Sequence, residues 1–116
     1  MQRVGMLAAA FAAAAVVAGN GNAALPKLQG SVSDPVNISL TFAGKRVSTL
    51  KAGKYAIVVR DTAGDHNFHI RGLGVDRLTS TGGTGTWRWT VTLRKGTYRY
   101  VCDSHSSFMK GSFTVE

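Results

Sequence analysis

Residues 98–111, YRYVCDSHSSFMKG, carry the most informative chemistry of this chain. They contain the only cysteine, Cys102, followed by His105 three positions later and by Met109 four positions after that. The alternation of Tyr98, Tyr100 and Cys102 with polar or smaller residues predicts a strand that ends at the cysteine. Three soft or borderline metal-ligand types therefore fall within eight residues, in a loop that follows a strand.

A thiolate, imidazoles and a weak thioether are the ligand set of a blue-copper site. Such a site needs a second histidine, and residues 65–70, DHNFHI, offer two. Period-2 alternation places His66 on the same face as Phe68 and Ile70, which are apolar and predicted to face the interior. His69 then falls on the opposite face and is expected to be exposed. We therefore expect His66 to lie at the metal.

Each of these residues has a simpler explanation when it is taken alone. A single cysteine is often a small buried hydrophobe, and a Cys/His pair can also serve nucleophilic catalysis. Catalysis leaves Met109 and His66 without a role, so no enzymatic activity is expected. Zinc accepts thiolate and imidazole ligands, but a thioether is a poor ligand for zinc. One copper ion is therefore the favoured cofactor.

Residues 1–23 predict a secretory signal peptide. Arg3 precedes an uninterrupted apolar run over residues 6–18, and Gly21 and Ala23 supply small residues at the expected cleavage point. The run is shorter than the about 20 residues of a spanning helix; an uncleaved anchor is the alternative. We expect export to the periplasm or the cell exterior, with residues 24–116 forming one domain. A lone cysteine in an exported protein indicates either an intermolecular disulfide or a thiol with a function, and metal binding is such a function.

Short strands separated by glycine-containing turns dominate the rest of the chain. Period-2 patterns predict about seven strands, and no segment after the signal shows a helical period. This pattern is typical of an all-β antiparallel sandwich or barrel. Trp87 and Trp89 are predicted to lie in its core. The clearest predicted strands cover residues 36–42, 55–60, 86–93, 97–102 and 111–115.

The chain is basic, with a formal net charge of +8. Such a charge favours acidic partners, anionic lipid or polyanions. The basic residues are scattered along the sequence, which argues against a dedicated nucleic-acid surface. We expect a monomer without stable membrane insertion. Its expected partners are redox proteins, including ones with acidic docking surfaces.

Two stretches resemble the cupredoxins, in particular the plastocyanin, amicyanin and pseudoazurin group: residues 65–68 and residues 97–111. The resemblance extends from about Val36 to Glu116. It implies a Greek-key β-sandwich with one type 1 copper ion. Matched residue by residue, it makes His66, Cys102 and His105 the equatorial ligands. Met109 becomes the weak axial ligand.

The resemblance also gives Asn67 a supporting role, in which its hydrogen bonds tie the His66 loop to the Cys102 loop. Ser104 and Ser106 stand where many cupredoxins have proline. The loop from Cys102 to Met109 is one residue longer than in amicyanin and one shorter than in plastocyanin. These departures bear mainly on the bond to Met109.

The expected function is one-electron transfer between redox partners by a copper ion that cycles between Cu(II) and Cu(I). In such folds the histidine of the terminal loop has an exposed edge, so His105, framed by Phe108, is the expected electron port. A copper carrier or buffer without electron transfer would use the same ligands and is the alternative. A metal-free interaction domain is disfavoured because all four ligand positions are filled.

Overall fold

A computed structural model describes residues 24–116, which form two packed β-sheets. The predicted signal peptide at residues 1–23 lies outside the described residues. No helix in the described part of the chain has the length and apolar character needed to cross a membrane. The strands, in chain order, are β1 (Lys27–Ser33), β2 (Asn37–Phe42), β3 (Lys45–Arg46), β4 (Thr49–Leu50), β5 (Gly53–Asp61), β6 (His69–Gly72), β7 (Val75–Leu78), β8 (Gly85–Leu93), β9 (Gly96–Val101) and β10 (Lys110–Val115).

The first sheet has the strand order β3-β2-β1-β5-β8, and the second has the order β4-β10-β9-β6-β7. The all-β sandwich predicted from the alternating patterns is confirmed. Most strand pairs are antiparallel, as expected, but each sheet also contains one parallel pair, so both sheets are mixed. Strand β1 runs parallel to β5, and β10 runs parallel to β4. Residues distant in sequence form these pairs, and period-2 alternation is the same in either direction.

Alternating side chains of both sheets meet in one core. Strand β9 contributes Tyr98 and Tyr100, each almost fully buried. The Tyr98 ring stacks on Phe113 with centroids 5.3 Å apart, and the Tyr100 ring stacks on Phe68 at 5.4 Å. Aromatic side chains of this size supply much of the apolar area that stabilises a small domain.

The alternation predicted for β8 is present, with Val91 and Leu93 buried and the intervening threonines and arginine exposed. Trp87 and Trp89 differ from the prediction, because they are only half-buried and pack against the margin of the core. Their position follows from topology, since β8 is the edge strand of the first sheet.

Three connections meet at one end of the sandwich and carry the candidate site. The β5–β6 connection carries His66, the β9–β10 connection carries Cys102 and His105, and the β1–β2 connection carries Pro35. The β9–β10 connection, here called the ligand loop (residues 102–109), begins with a 3₁₀ turn over Asp103–His105. Contacts between these connections build the site described next.

Candidate metal centre

Cys102 directly follows the last residue of β9 and is fully buried. Its backbone N–H donates to the carbonyl oxygen of Met109 at 2.9 Å, which closes the ligand loop. Within the loop, the His105 N–H donates to the Cys102 carbonyl at 3.1 Å, and the Met109 N–H donates to the His105 carbonyl at 2.8 Å. These main-chain bonds hold the three loop residues in one compact turn.

Two imidazoles converge on the sulfur of Cys102. The Sγ atom lies 3.7 Å from Nδ1 of His66 and 3.6 Å from Nδ1 of His105. The three ligand atoms all lie within 4.8 Å of one another. The His66 and His105 rings meet edge-to-face, with centroids 4.8 Å apart. The cluster joins side chains that are 36 residues apart in sequence.

His66 is fully buried and its orientation is fixed from behind. Its Nε2 donates to the carbonyl oxygen of Pro35 at 2.7 Å, so Nδ1 is the nitrogen that faces Cys102. The hydrogen bond to Pro35 raises the pKa of His66, and burial opposes that increase. The exposed carboxylates of Asp34 and Asp65 lie 3.6 Å and 3.7 Å from the same Nε2. A carbonyl partner of this kind sets the tautomer of a metal-binding histidine.

His105 is half-buried and lies at the surface side of the cluster. Its ring is next to Phe108, with centroids 5.4 Å apart and planes inclined at 56°. Phe108 is 57% exposed. The expected arrangement, a partly exposed imidazole edge framed by Phe108, is therefore present.

The surroundings of Cys102 favour its thiolate. Burial raises the pKa of the thiol, but the adjacent Ser104 hydroxyl, the Asn67 backbone and the two neighbouring imidazoles together lower it from 9.0 to about 6. The Ser104 Oγ lies 3.5 Å from Sγ and 3.2 Å from Nδ1 of His105. A thiolate is the form of cysteine that binds metals.

Asn67 joins the two halves of the site by reciprocal hydrogen bonds. Its Oδ1 accepts from the backbone N–H of Asp103 at 2.8 Å, and its Nδ2 donates to the Asp103 carboxylate at 2.8 Å. Nδ2 also donates to the carbonyl oxygen of Thr79 at 3.4 Å. Because Asn67 follows His66 and Asp103 follows Cys102, these bonds lie between the two loops that the resemblance expected Asn67 to connect.

Met109 ends the ligand loop and is fully buried beside the aromatic core. Its backbone is bonded to both Cys102 and His105, as described above. The fourth residue of the predicted ligand set thus lies in the same turn as the cysteine and the loop histidine.

His69 lies apart from the sulfur, in the position the alternation argument assigned, but the expectation that it is exposed is wrong. Its side chain is only 13% exposed because it lies between the carboxylates of Asp103 and Asp76. Period-2 alternation also does not explain the burial of His66. Strand β6 begins at His69, and three consecutive residues before it, His66, Asn67 and Phe68, are all buried. A loop, where alternation does not apply, positions His66.

The residues present fit a single small metal ion. With bonds of about 2.0 Å to imidazole nitrogen and about 2.3 Å to thiolate sulfur, ligand atoms about 120° apart would be separated by about 3.7 Å. The two observed sulfur–nitrogen separations, 3.7 Å and 3.6 Å, match this value. His66, Cys102 and His105 are positioned as a copper site, since two imidazoles and one thiolate are the equatorial set of type 1 copper.

Solved structures of rusticyanin, a copper protein, share this fold. A methionine-to-glutamine variant superposes with a TM-score of 0.60 at 20% identity, covering 78% of this chain and 76% of that chain. Reduced rusticyanin gives 0.56 at 20% identity, with 78% of each chain covered. Rusticyanin from Thiobacillus ferrooxidans gives 0.54 at 20% identity, with 78% and 76% covered. No protein-family model matches the chain. No curated protein matches it by sequence.

The chain has the cupredoxin fold, and the resemblance expected from its sequence is confirmed at the level of fold. Its fold neighbours include rusticyanin, and its candidate copper site occupies the end of the sandwich where three connections converge.

Sequence reasoning missed several residues that support the ligands. Pro35 acts through its carbonyl oxygen, and Thr79 accepts from the Phe68 N–H at 2.9 Å through its hydroxyl. Both are distant in sequence from the residues they contact, and a backbone acceptor has no sequence signature. The Ser104 hydroxyl lies beside Sγ, a contact that its position in place of a proline does not predict. For Asp103 the available signal is its position next to Cys102 in the sequence.

Proposed function

We propose that this protein is a one-electron carrier that holds one type 1 copper ion. The supporting observation is the buried Sγ of Cys102 between the Nδ1 atoms of His66 and His105, at 3.7 Å and 3.6 Å. These three side chains are the proposed equatorial ligands, and Met109 is the proposed weak axial ligand. When bound, copper supplies a Cu(II)/Cu(I) couple that accepts or donates one electron.

The part of the chain in this function is to hold the ligands still. Pro35 fixes the His66 ring, Asn67 ties the two loops, and main-chain bonds close the ligand loop around Cys102. Ligands that are already positioned need little rearrangement when the oxidation state changes, which favours fast electron transfer. Burial of Cys102 and His66 keeps water away from the metal-binding atoms.

His105 is the proposed port for the electron. It is the only one of the three proposed equatorial ligands that is not fully buried, and its neighbour Phe108 is exposed. A partner that covers Phe108 would come close to a metal-bound ring without disturbing His66 or Cys102. An exposed aromatic side chain at such a place suits a transient protein contact.

A carrier is favoured over an enzyme that uses cysteine as a nucleophile. The Cys102 side chain is fully buried and its sulfur is surrounded by imidazoles and the Ser104 hydroxyl. A substrate would need an open approach to that sulfur. Electron transfer needs only proximity, which the His105 edge provides.

The proposed partners are redox proteins with acidic docking surfaces. The proposed carrier itself is a monomeric, exported copper protein. The net charge of +8 supports this choice, and Arg99 and Lys110 are exposed on strands adjoining the ligand loop. The signal-like residues 1–23 support export to the periplasm or the cell exterior.

Protein-film voltammetry of the copper-loaded protein tests the proposed role. A reversible one-electron wave and rapid electron self-exchange are expected. A tightly bound copper that cycles slowly or irreversibly, and that passes readily to a chelating partner, would instead identify a copper carrier or buffer. The two functions share ligands, so only such kinetic behaviour separates them.

A further inference from the structure

His69, which is not one of the proposed ligands, lies between two carboxylates on the outer face of the second sheet. Its Nε2 lies 2.6 Å from Oδ1 of Asp76, and its Nδ1 lies 2.9 Å and 3.1 Å from the two oxygens of Asp103. Asp76 belongs to β7, and Asp103 is the second residue of the ligand loop. One side chain on β6 therefore connects an edge strand to the loop that carries Cys102 and His105.

Both ring nitrogens of His69 face acceptors. An ionised carboxylate can only accept hydrogen bonds, so the contacts are satisfied when the ring donates from both nitrogens as an imidazolium. Charge-assisted bonds of this kind are stronger than neutral ones. The two carboxylates raise the pKa of His69, although its burial opposes them.

Asp103 is the point where this arrangement meets the metal site. Its backbone N–H and its carboxylate both bond to Asn67, each at 2.8 Å. Asp103 also begins the 3₁₀ turn that contains His105 and directly follows Cys102. The contacts thus run from Asp76 through His69 and Asp103 to Asn67, the residue next to His66.

From this geometry we infer that His69 is a positioning residue of the metal centre. It fixes the Asp103 carboxylate, and through Asp103 it fixes the start of the ligand loop relative to Asn67. Its positive charge also offsets a carboxylate that is one residue from the proposed thiolate ligand. This inference rests on the proposed function, since it takes His66, Cys102 and His105 to be the ligands.

A simple surface ion pair is the competing explanation. Exposed pairs contribute little to stability and impose little geometry. The His69 side chain, however, is only 13% exposed and is anchored at both nitrogens, whereas Asp76 is 69% exposed. The inner partner, Asp103, is itself held by Asn67 in a second pair of bonds. The His69 ring is therefore held in one orientation by its contacts with Asp76 and Asp103.

The test compares four proteins: wild type, His69→Phe, Asp76→Asn and Arg99→Gln. His69→Phe keeps a ring of similar size but removes both hydrogen bonds and the charge. Asp76→Asn removes only the outer carboxylate charge, and it provides a second measurement if His69→Phe does not fold. Arg99→Gln is the matched control, because it removes a positive charge from the neighbouring strand of the same sheet.

Three readouts are expected to change in His69→Phe. Copper release to a chelator becomes faster by about 10–100-fold, the range typical for loss of a group that supports a metal ligand. The reduction potential falls, because an unbalanced Asp103 carboxylate favours the more positive oxidised metal. In the metal-free protein, the Asp103 amide exchanges faster, while the Tyr98 amide in β9 keeps its protection. Asp76→Asn gives a smaller acceleration of copper release.

Unchanged copper release and potential in His69→Phe would overturn the inference, and so would equal effects in Arg99→Gln. Failure of the proposed function gives a different result, because the wild-type protein would then form no thiolate-to-copper absorption band. The metal-centred part of the inference would fall with it. Amide exchange of the metal-free variants would still decide whether His69 positions the ligand loop.

Discussion

The Nε2 atom of His66 lies 2.7 Å from the carbonyl oxygen of Pro35. A carbonyl oxygen accepts but cannot donate, so this nitrogen carries a proton and Nδ1 is left for the opposite side of the ring. Nδ1 lies 3.7 Å from the Cys102 sulfur. The β1–β2 connection, which contributes no proposed ligand, therefore decides which nitrogen of His66 is offered to a metal.

The first prediction concerns this tautomer. In the metal-free protein, at a pH where His66 is neutral, we expect its proton on Nε2 because Pro35 stabilises that form. Nitrogen-15 NMR of the imidazole nitrogens measures the tautomer directly. A neutral ring protonated on Nδ1 would contradict the arrangement. The unfolded protein in urea, where Pro35 is no longer adjacent, provides the reference mixture of tautomers.

The second prediction concerns the packing beneath β6. A methyl group at Gly72 would overlap the buried Tyr98 ring, which stacks on Phe113. We expect Gly72→Ala to lower the free energy of unfolding by about 1–3 kcal/mol, the range typical of overpacked cores. Urea denaturation of the metal-free protein measures this loss.

Gly82→Ala is the matched control, because a methyl group there meets no atom within 4 Å. Gly82 lies in a turn and is exposed, so its substitution should change the free energy of unfolding by less than about 0.5 kcal/mol. Equal effects of the two substitutions would show that Tyr98 does not closely contact Gly72.

The third prediction is a pH dependence of stability that depends on His69. The pKa of His69 is raised from 6.5 by Asp103 and Asp76, so its stabilising contribution is complete below about pH 6.5 and is lost as pH rises through the raised value. Burial raises the pKa of Asp103, but the hydrogen bonds from Asn67 and His69 outweigh it and hold the pKa below its usual 3.8, so the contribution also disappears in strong acid. It should therefore be largest near about pH 5.

Urea denaturation of metal-free wild type and His69→Gln at about pH 5 and about pH 9 measures this contribution. The stability difference between the two proteins should be about 1 kcal/mol at the lower pH and smaller at the higher pH. A difference that grows with pH would have the wrong sign. Arg99→Gln should show no such dependence.

The fourth prediction addresses the electron port. Phe108→Asp replaces an aromatic ring next to His105 by a charged side chain at a position that is 57% exposed. Because Phe108 is not one of the proposed ligands, the absorption spectrum of the copper-loaded protein should stay unchanged. Electron self-exchange should become slower by about tenfold or more, because a hydrated charge replaces the apolar surface through which two copies would bring their His105 rings together. Self-exchange is measured by NMR line broadening in mixtures of oxidised and reduced protein.

Leu73→Asp is the control for this change. Leu73 is 55% exposed and its carbonyl lies near the Tyr98 hydroxyl, at the end of β9 opposite the ligand loop. The Leu73→Asp substitution introduces the same charge as Phe108→Asp in place of an apolar residue of similar exposure. Slowing of self-exchange by both substitutions to the same degree would argue against an electron port at His105.

Structural features that depend on residues close together in the sequence could be predicted. Features that depend on residues far apart in the sequence could not. Strands β2, β5, β8, β9 and β10 were predicted because alternation is a local property. The parallel pairing of β1 with β5 was not, since it joins residues nearly thirty positions apart and leaves no mark on either strand. The half-buried tryptophans were missed for the same reason, because their exposure follows from the place of β8 at a sheet edge.

The ligand types were predicted because cysteine, histidine and methionine carry distinctive chemistry at close spacing. His66 was chosen by an alternation argument that fails in the loop where it lies. The groups that orient the ligands, above all the Pro35 carbonyl and the His69–Asp103 contact, could not be predicted. A backbone oxygen is present at every residue, and only the folded chain shows which one faces an imidazole.

The most direct test of the copper site is a titration of the metal-free protein with Cu(II), followed by visible absorption. An intense thiolate-to-copper charge-transfer band should grow until about one ion is bound per chain, because the Cys102 sulfur lies between two imidazoles. Cys102→Ser should abolish the band. A wild-type protein that binds copper tightly but stays colourless would contradict the type 1 assignment.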